Sequence, residues 1–239
     1  MQATTGKCFV CGASLSKDEM KAHLLGCRGR EQGDEPLFLI FVEDDYFPEI
    51  YWLALEIPRS ATLADLDEYL RRIWVDCCGH YSQFTIGEAV YGRRPNPSPV
   101  ELVLDEYAHV QTMDVPLEDV LTVGETVQYS YDEVWPSVLR VTPLAAYSGD
   151  VPAGGVRLLA RNYKPFKPCR VCGKPAEWLY TDVWPQEAYC DEHARQHPAW
   201  EKPNAFLPFV NSPRVGLCVY RGPKDESLLF EVYPPDAEA

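Results

Sequence analysis

Two sets of cysteine and histidine residues, spaced as metal ligands, constrain this 239-residue chain more than any other feature. The first set has the spacing C-x2-C-x11-H-x3-C, and the second has the spacing C-x2-C-x17-C-x2-H. Zinc takes four nitrogen or sulfur ligands in a tetrahedron, which two close pairs of ligands can supply. We predict two structural zinc ions, one bound by Cys8, Cys11, His23 and Cys27 and the other by Cys169, Cys172, Cys190 and His193.

The first set resembles a C2H2-type zinc finger in which the last histidine is replaced by cysteine. Ser16 or Asp18 can cap a short helix that places His23 and Cys27 one turn apart on the same face. A thioredoxin-like redox pair and unrelated buried thiols are the alternative interpretations of the first C-x2-C. Such a pair, however, lies at a strand-to-helix junction of a larger domain, so we predict a finger.

The second set indicates a zinc ribbon or a treble clef. Gly173 follows the second cysteine and lets backbone amides approach the thiolates, and residues 178–180 and Tyr189 supply apolar strand positions. His197 is an alternative to His193 as the fourth ligand. Because both sets supply four protein ligands and leave no open position, we predict structural rather than catalytic zinc.

The region between the two sets has the pattern of an α+β domain. Thr62 and Asp65 form a capping-box-like signal at the start of an amphipathic helix. We predict a central sheet with one main helix, flanked by an N-terminal zinc finger and a C-terminal zinc ribbon or treble-clef module. Strands are predicted at 37–42, 50–57, 83–86, 100–104, 126–131 and 138–141, with a shorter helix at 117–121. The predicted units are the finger (1–30), the α+β domain (37–148), the zinc module (165–200) and a tail (201–239) with strands at 215–220 and 228–233 that can pack on the central domain.

Charge and hydropathy exclude several classes of protein. The formal net charge of −14 excludes a protein that wraps duplex DNA with its whole surface, because phosphate contacts need Lys and Arg. The longest strongly apolar run, residues 37–42, is far shorter than the roughly 18 residues of a membrane-spanning helix. The first residues lack the apolar stretch of a secretory signal. We therefore expect a cytoplasmic protein with reduced thiols, no membrane partner and no small-molecule cofactor.

One segment is basic within this acidic chain. Residues 151–175 carry six basic side chains and no acidic one, with two aromatic residues among them that can stack on bases. Neutralisation of the acidic body of the same protein is the alternative role. The candidate nucleic-acid-binding residues are Arg157, Arg161, Tyr163, Lys164, Phe166, Lys167, Arg170 and Lys174.

Four stretches of the central region resemble the Ri-plasmid ORF-three-like family, also described as insertion-element passenger proteins. They are IYWLALEIP (50–58), ATLADL (61–66), CCGHYSQF (77–84) and YSYD (129–132). The motif NSPRVG at 211–216 resembles the tail of a zinc-containing branch of that family. The resemblance covers residues 37–143 and implies an α+β domain found on mobile elements, without a settled activity.

The resemblance carries over to only two polar positions. Asp67 and Ser82 stand where many members of the family have histidine, so His80 and Asp132 are the matching site residues. Our leading hypothesis is a zinc-binding, non-enzymatic adaptor linked to mobile elements that contacts protein or nucleic acid. The alternative is an enzyme with its site near His80 and Asp132. A metal or redox site is one interpretation of the run CCGH at 77–80. Because adjacent cysteines point in different directions and free cysteine behaves as a small hydrophobe, we instead predict packing in the core for Cys77, Cys78 and Cys218.

Overall fold

The computed structural model describes residues 3–27, 33–93, 109–224 and Leu228. Within these residues, ten strands form one sheet in the order β2-β1-β10-β4-β3-β9-β8-β5-β6-β7. Neighbouring strands are antiparallel except β6 and β7, which are parallel. The strands of this sheet are β1 (Thr5–Cys8), β2 (Ser14–Ser16), β3 (Glu35–Asp44), β4 (Trp52–Pro58), β5 (Ser82–Ile86), β6 (Ala89–Arg93), β7 (Val110–Gln111), β8 (Val127–Tyr131), β9 (Ser137–Gly149) and β10 (Arg157–Asn162).

The prediction of one main helix is wrong. The described residues contain four short α-helices, and the ten-stranded sheet dominates the structure. The helix capped by Thr62 exists, with the Asp65 backbone N–H donating to Thr62 Oγ1 at 3.2 Å, but its α-helical part has only eight residues. The helices are α1 (Lys17–Gly26), α2 (Leu63–Leu70, continued by a π-helical turn over Arg71–Val75), α3 (Leu117–Val120) and α4 (Asp191–Arg195).

The central strand β3 is buried on both of its faces. Side chains alternate along a strand, so Phe38, Ile40 and Val42 belong to the core that includes α2. Leu39 and Phe41 face the other way, into a second core that includes α1. This two-sided burial explains why the sequence of β3 is continuously apolar rather than alternating.

The N-terminal unit is not a separate zinc finger, which corrects the prediction. Strand β1 pairs with β10, and Cys8 lies opposite Ala160, so β1 and β2 form one edge of the main sheet. Met20 and Leu24 of α1 pack in a core shared with β3, β4 and β10. The apolar residues of this short unit are too few for a core of their own, and the sheet completes it.

The C-terminal unit does not form a clear zinc ribbon either. It contains a three-stranded antiparallel sheet in the order β12-β11-β13, together with α4. One of these strands comes from the region predicted as a separate tail. The strands are β11 (Trp178–Tyr180), β12 (Glu187–Tyr189) and β13 (Phe206–Pro208).

The remainder of the tail differs from the prediction at residues 215–220. This segment is a series of turns rather than a strand, with backbone bonds from Leu217 N–H to Arg214 O at 3.1 Å and from Tyr220 N–H to Leu217 O at 2.9 Å. Ser212 Oγ donates to Trp74 O at 2.6 Å, which places the tail against the main sheet domain. The predicted strand at 100–104 and all but Leu228 of that at 228–233 lie outside the described residues. No helix in the described part of the chain is long and apolar enough to cross a membrane.

Candidate metal centres

Three groups of cysteine and histidine side chains converge in the described residues, and in each group four ligand atoms lie within 4.8 Å of one another. A tetrahedral zinc ion with Zn–S bonds of about 2.3 Å places its sulfur ligands about 3.8 Å apart, so these groups have suitable dimensions. Each offers three thiols and one imidazole. The N-terminal site consists of Cys8, Cys11, His23 and Cys27, the central site of Cys77, Cys78, His80 and Cys218, and the C-terminal site of Cys169, Cys172, Cys190 and His193.

The N-terminal site joins a turn to a helix. Cys8 ends β1, and its carbonyl accepts a bond from the Gly12 N–H at 2.9 Å, which closes the turn that carries Cys11. Gly12 has φ of +81°, a conformation that side chains disfavour. Helix α1 presents His23, whose Nε2 lies 3.2 Å from Cys11 Sγ, and Cys27 is the C-cap residue that follows this helix.

The C-terminal site repeats this arrangement. The carbonyl of Cys169 accepts a bond from the Gly173 N–H at 3.0 Å, and Gly173 has φ of +73°. Cys190 is the N-cap of α4, and its Sγ lies 3.8 Å from Cys172 Sγ and 3.1 Å from His193 Nδ1. A turn and the first residues of a helix therefore bring together the four residues that the spacing predicts.

His197, the alternative ligand, has a different environment. Its ring packs against Tyr180, Tyr189 and Phe206, with centroids 4.6, 5.4 and 5.2 Å away. Its Nδ1 accepts a hydrogen bond from the Ala199 N–H at 3.1 Å. His193, and not His197, completes the group of four ligand atoms.

The thiols at these two sites differ in pKa. Burial raises the pKa of Cys8, whereas a backbone N–H group lowers that of Cys11. At the C-terminal site burial opposes ionisation, but backbone N–H groups, those of Cys190 and Cys172 first, lower the pKa of Cys169 to about 6. Neighbouring thiolates repel one another, and a divalent cation removes that repulsion. The donor set is therefore suited to a bound cation.

The sequence does not lead to the central site, because core packing is favoured over metal binding for Cys77, Cys78 and Cys218. Cys77, Cys78 and His80 lie in the loop between the π-helical turn and β5, and Cys218 lies in the tail. Cys78 Sγ is 3.8 Å from Cys77 Sγ and 3.7 Å from Cys218 Sγ. His80 Nε2 is 3.0 Å from Cys78 Sγ and 3.2 Å from Cys218 Sγ. The two contacts with Cys218 join residues 140 and 138 positions apart in the sequence.

The number of cysteines in the sequence is a signal from which the central site could have been predicted. The chain has nine cysteines, and the two predicted sites use six of them. The other three are Cys77, Cys78 and Cys218, and all three converge on His80. Cys78 is exposed, which does not agree with its predicted packing in the core.

The pair proposed for an enzymatic site meets at the central site. His80 Nδ1 lies 3.7 Å from Asp132 Oδ1, and Asp132 also forms a buried ion pair with Arg214. Burial alone would raise the pKa of Asp132, but the hydrogen bond from Arg214 outweighs this effect and the pKa is lowered. Because the other nitrogen of the same ring faces two thiols, the carboxylate has the position of a group that orients a metal-binding histidine.

Three of the eight candidate residues of the basic segment are buried, and a fourth, Arg157, is partly exposed but paired with a buried carboxylate. Arg157 forms an ion pair with Glu56, with 2.8 Å between Nη1 and Oε1. Arg161 is buried and donates to the carbonyl of Asn211. The hydroxyl of Tyr163 lies 2.6 Å from Ser14 Oγ, and Lys164 is buried above the ring of Phe209. These four candidate residues stabilise the fold in this conformation.

The other half of the basic segment lies near the surface. Phe166 is 56% exposed, and Lys174 is also exposed. Arg170 is exposed and forms an ion pair with Glu187. Lys167 is half-buried, and burial lowers its pKa. Within residues 151–175, the exposed basic side chains therefore lie in the turn of the C-terminal site.

Comparisons with protein-family models and with curated proteins found no match. Among solved structures, the chain is similar to a crystal structure of a protein of unknown function from Methanosarcina mazei Go1, with 12% sequence identity and a TM-score of 0.40. That similarity covers 50% of this chain and 65% of the other.

Proposed function

We propose that the protein is a zinc-binding, non-enzymatic adaptor that presents a partner-binding surface held in shape by structural metal ions. The observation that carries the proposal is that each Cys/His group offers four protein ligands within 4.8 Å of one another. Four protein ligands leave no position for a substrate or an activated water, which is typical of structural zinc. Following the sequence resemblance, we propose that the partner belongs to the machinery of a mobile element.

The proposed contact surface is the turn of the C-terminal site. Val171, at the tip of this turn, is 61% exposed, and Phe166 is 56% exposed. Arg170 and Lys174 add positive charge beside these apolar side chains. Exposed aromatic and basic side chains together suit single-stranded nucleic acid, because bases stack on the ring and phosphates attract the cations.

Fluorescence anisotropy with a labelled single-stranded oligonucleotide tests this surface. The double variant Arg170→Ala/Lys174→Ala should reduce the slope of log affinity against log salt by about one to two units, because two phosphate contacts are lost. The matched control Arg195→Ala/Lys202→Ala removes the same charge from exposed positions of the same unit. An equal effect of both variants would contradict specific use of the turn, and the absence of binding by the wild type would leave a protein as the partner.

A further inference from the structure

We propose that the central site binds a third metal ion of the zinc class, and that this ion fastens the tail to the main sheet domain. The inference does not depend on the adaptor function. It follows from the convergence of Cys77, Cys78, His80 and Cys218 across 138 residues of sequence or more. The two sulfur–sulfur distances at Cys78, 3.8 and 3.7 Å, match the edge of about 3.8 Å expected for tetrahedral zinc.

The backbone around the ligands is held in position independently of the thiols. Asp76 Oδ1 accepts bonds from the Gly79 N–H and from the Tyr131 hydroxyl, both at 2.9 Å. The Tyr131 oxygen in turn accepts a bond from the His80 N–H at 3.1 Å. Gly79 has φ of +82°, so the loop turns sharply between Cys78 and His80. The loop is thus fixed with its ligands on one side.

The tail reaches the site through an unusual backbone conformation. Cys218 and Val219 have φ of +43° and +52°, values that L-residues seldom adopt and β-branched residues least of all. Strain of this kind persists where the surroundings hold it in place, and it is concentrated at functional positions. Here the conformation brings Cys218 Sγ to 3.2 Å from His80 Nε2. A metal–sulfur bond would supply the compensating interaction.

Charged side chains around the ligands have the arrangement of an outer shell. Three thiolates and a divalent cation carry a net charge of −1, and Arg214 Nη2 lies 3.5 Å from Cys77 Sγ, where it can balance that charge. Asp132 contacts both Arg214 and His80 Nδ1, so the imidazole presents Nε2 to the thiols. Simple packing of thiols in a core requires none of these groups.

A disulfide between Cys78 and Cys218 is the competing interpretation. Their sulfur atoms are 3.7 Å apart, well beyond the S–S bond length of about 2.05 Å. A disulfide would also leave Cys77 and His80 without a shared role. The metal accounts for all four side chains.

Elemental analysis of the full chain, purified under reducing conditions without chelator, tests the proposal. We expect three zinc ions per chain for the wild type and two for Cys78→Ser, since Cys78 is exposed and its substitution removes little packing. Cys172→Ser, which affects the C-terminal site, should also give two, and the double variant should give one. Three ions in Cys78→Ser, or two in the wild type with no change in Cys78→Ser, would overturn the central site and leave the other two sites intact.

Limited proteolysis measures the fastening of the tail directly. Cleavage within residues 217–224 should be at least tenfold faster in Cys78→Ser than in the wild type. Cys11→Ser, which removes an exposed ligand of the N-terminal site, should protect these residues as the wild type does. Equal protection in Cys78→Ser and the wild type would contradict the proposal that the metal ion holds the tail against the main sheet domain. A wild-type mass lower by two hydrogens, with two zinc ions bound, would establish the disulfide instead.

Discussion

The terminal sites and the central site use the same donors but are assembled in different ways. At each terminal site two cysteines share a tight turn, and a helix supplies the histidine within 25 residues of the first cysteine. At the central site one loop supplies three ligands, and the fourth, Cys218, joins them only when the tail packs against the main sheet domain. A terminal site can therefore stabilise its own unit, whereas the central site can stabilise only the contact between two distant segments.

The largest effect expected from this difference is at the C-terminal site. Cys172→Ser should unfold the three-stranded sheet, because the unit has a small core and metal binding is coupled to its folding. The main sheet should keep its cooperative thermal transition, since its core contains no residue of that site. Circular dichroism and two-dimensional NMR would measure both. Lys174→Ser, at an exposed position of the same turn, is the control and should leave the spectra unchanged.

The main sheet should instead depend on apolar packing. Leu66 of α2 is fully buried in the principal core, so Leu66→Ala should lower the free energy of unfolding by about 2–5 kcal/mol. The loss should be the same with and without chelator. Glu68→Ala, on the exposed side of the same helix, should change stability by less than about 1 kcal/mol. Urea unfolding is the measurement. If the loss of stability in Leu66→Ala changed with chelator, the stability of the main sheet would depend on metal as that of the C-terminal unit does.

The same contrast explains what the sequence could predict. Cys169 and Cys172, or Ser16 and Glu19, interact over a few residues, so the terminal ligand sets and the helix caps could be predicted from spacing alone. Cys218 meets His80 only through tertiary structure, and nothing in its neighbours distinguishes it from a core cysteine. The paired strands β1 and β10 are similarly far apart in the sequence. For this reason the sequence predicts a separate zinc finger where the structure has the edge of a sheet.

Acid should affect the two kinds of region in opposite directions. Protons compete with metal for thiolates, so the metal-dependent units lose stability as the pH falls. In the main sheet, burial raises the pKa of Asp44 from 3.8 to about 6. A carboxyl whose pKa is raised on folding contributes stability that is complete below its unfolded pKa and is lost as the pH rises through its folded pKa.

Asp44→Asn tests this second effect. Its stability relative to the wild type should rise by at most about 3 kcal/mol between pH 4 and pH 7, because the amide stays neutral. Asn can still accept the hydrogen bond from the Phe47 N–H, which is 2.7 Å in the wild type. Chemical unfolding at a series of pH values measures the difference, and the exposed neighbour Asp45 provides the control variant Asp45→Asn. A constant difference across that range would show that folding does not raise the pKa of Asp44.

The smallest effect concerns the place where a terminal site meets the sheet. A Cβ added at Gly6 would collide with the Arg161 carbonyl and with the ring of Trp52, and the backbone carbonyl cannot move away freely. Gly6→Ala should therefore destabilise the protein by about 1–3 kcal/mol through overpacking. A separate finger would tolerate the change, because β1 would then have no sheet against it.

Gly26→Ala is the matched control for this substitution. Gly26 lies near the end of α1 in the same unit, and a Cβ there meets no atom within 4 Å. Its replacement should leave stability unchanged or raise it slightly, because alanine has less conformational freedom than glycine in the unfolded chain. Thermal unfolding of both variants, with zinc content measured in parallel, compares them. If Gly6→Ala lowers stability while the N-terminal site retains its metal, β1 is coupled to the sheet by packing rather than by the ion; equal stability of the two variants would show that the N-terminal site folds independently of β10.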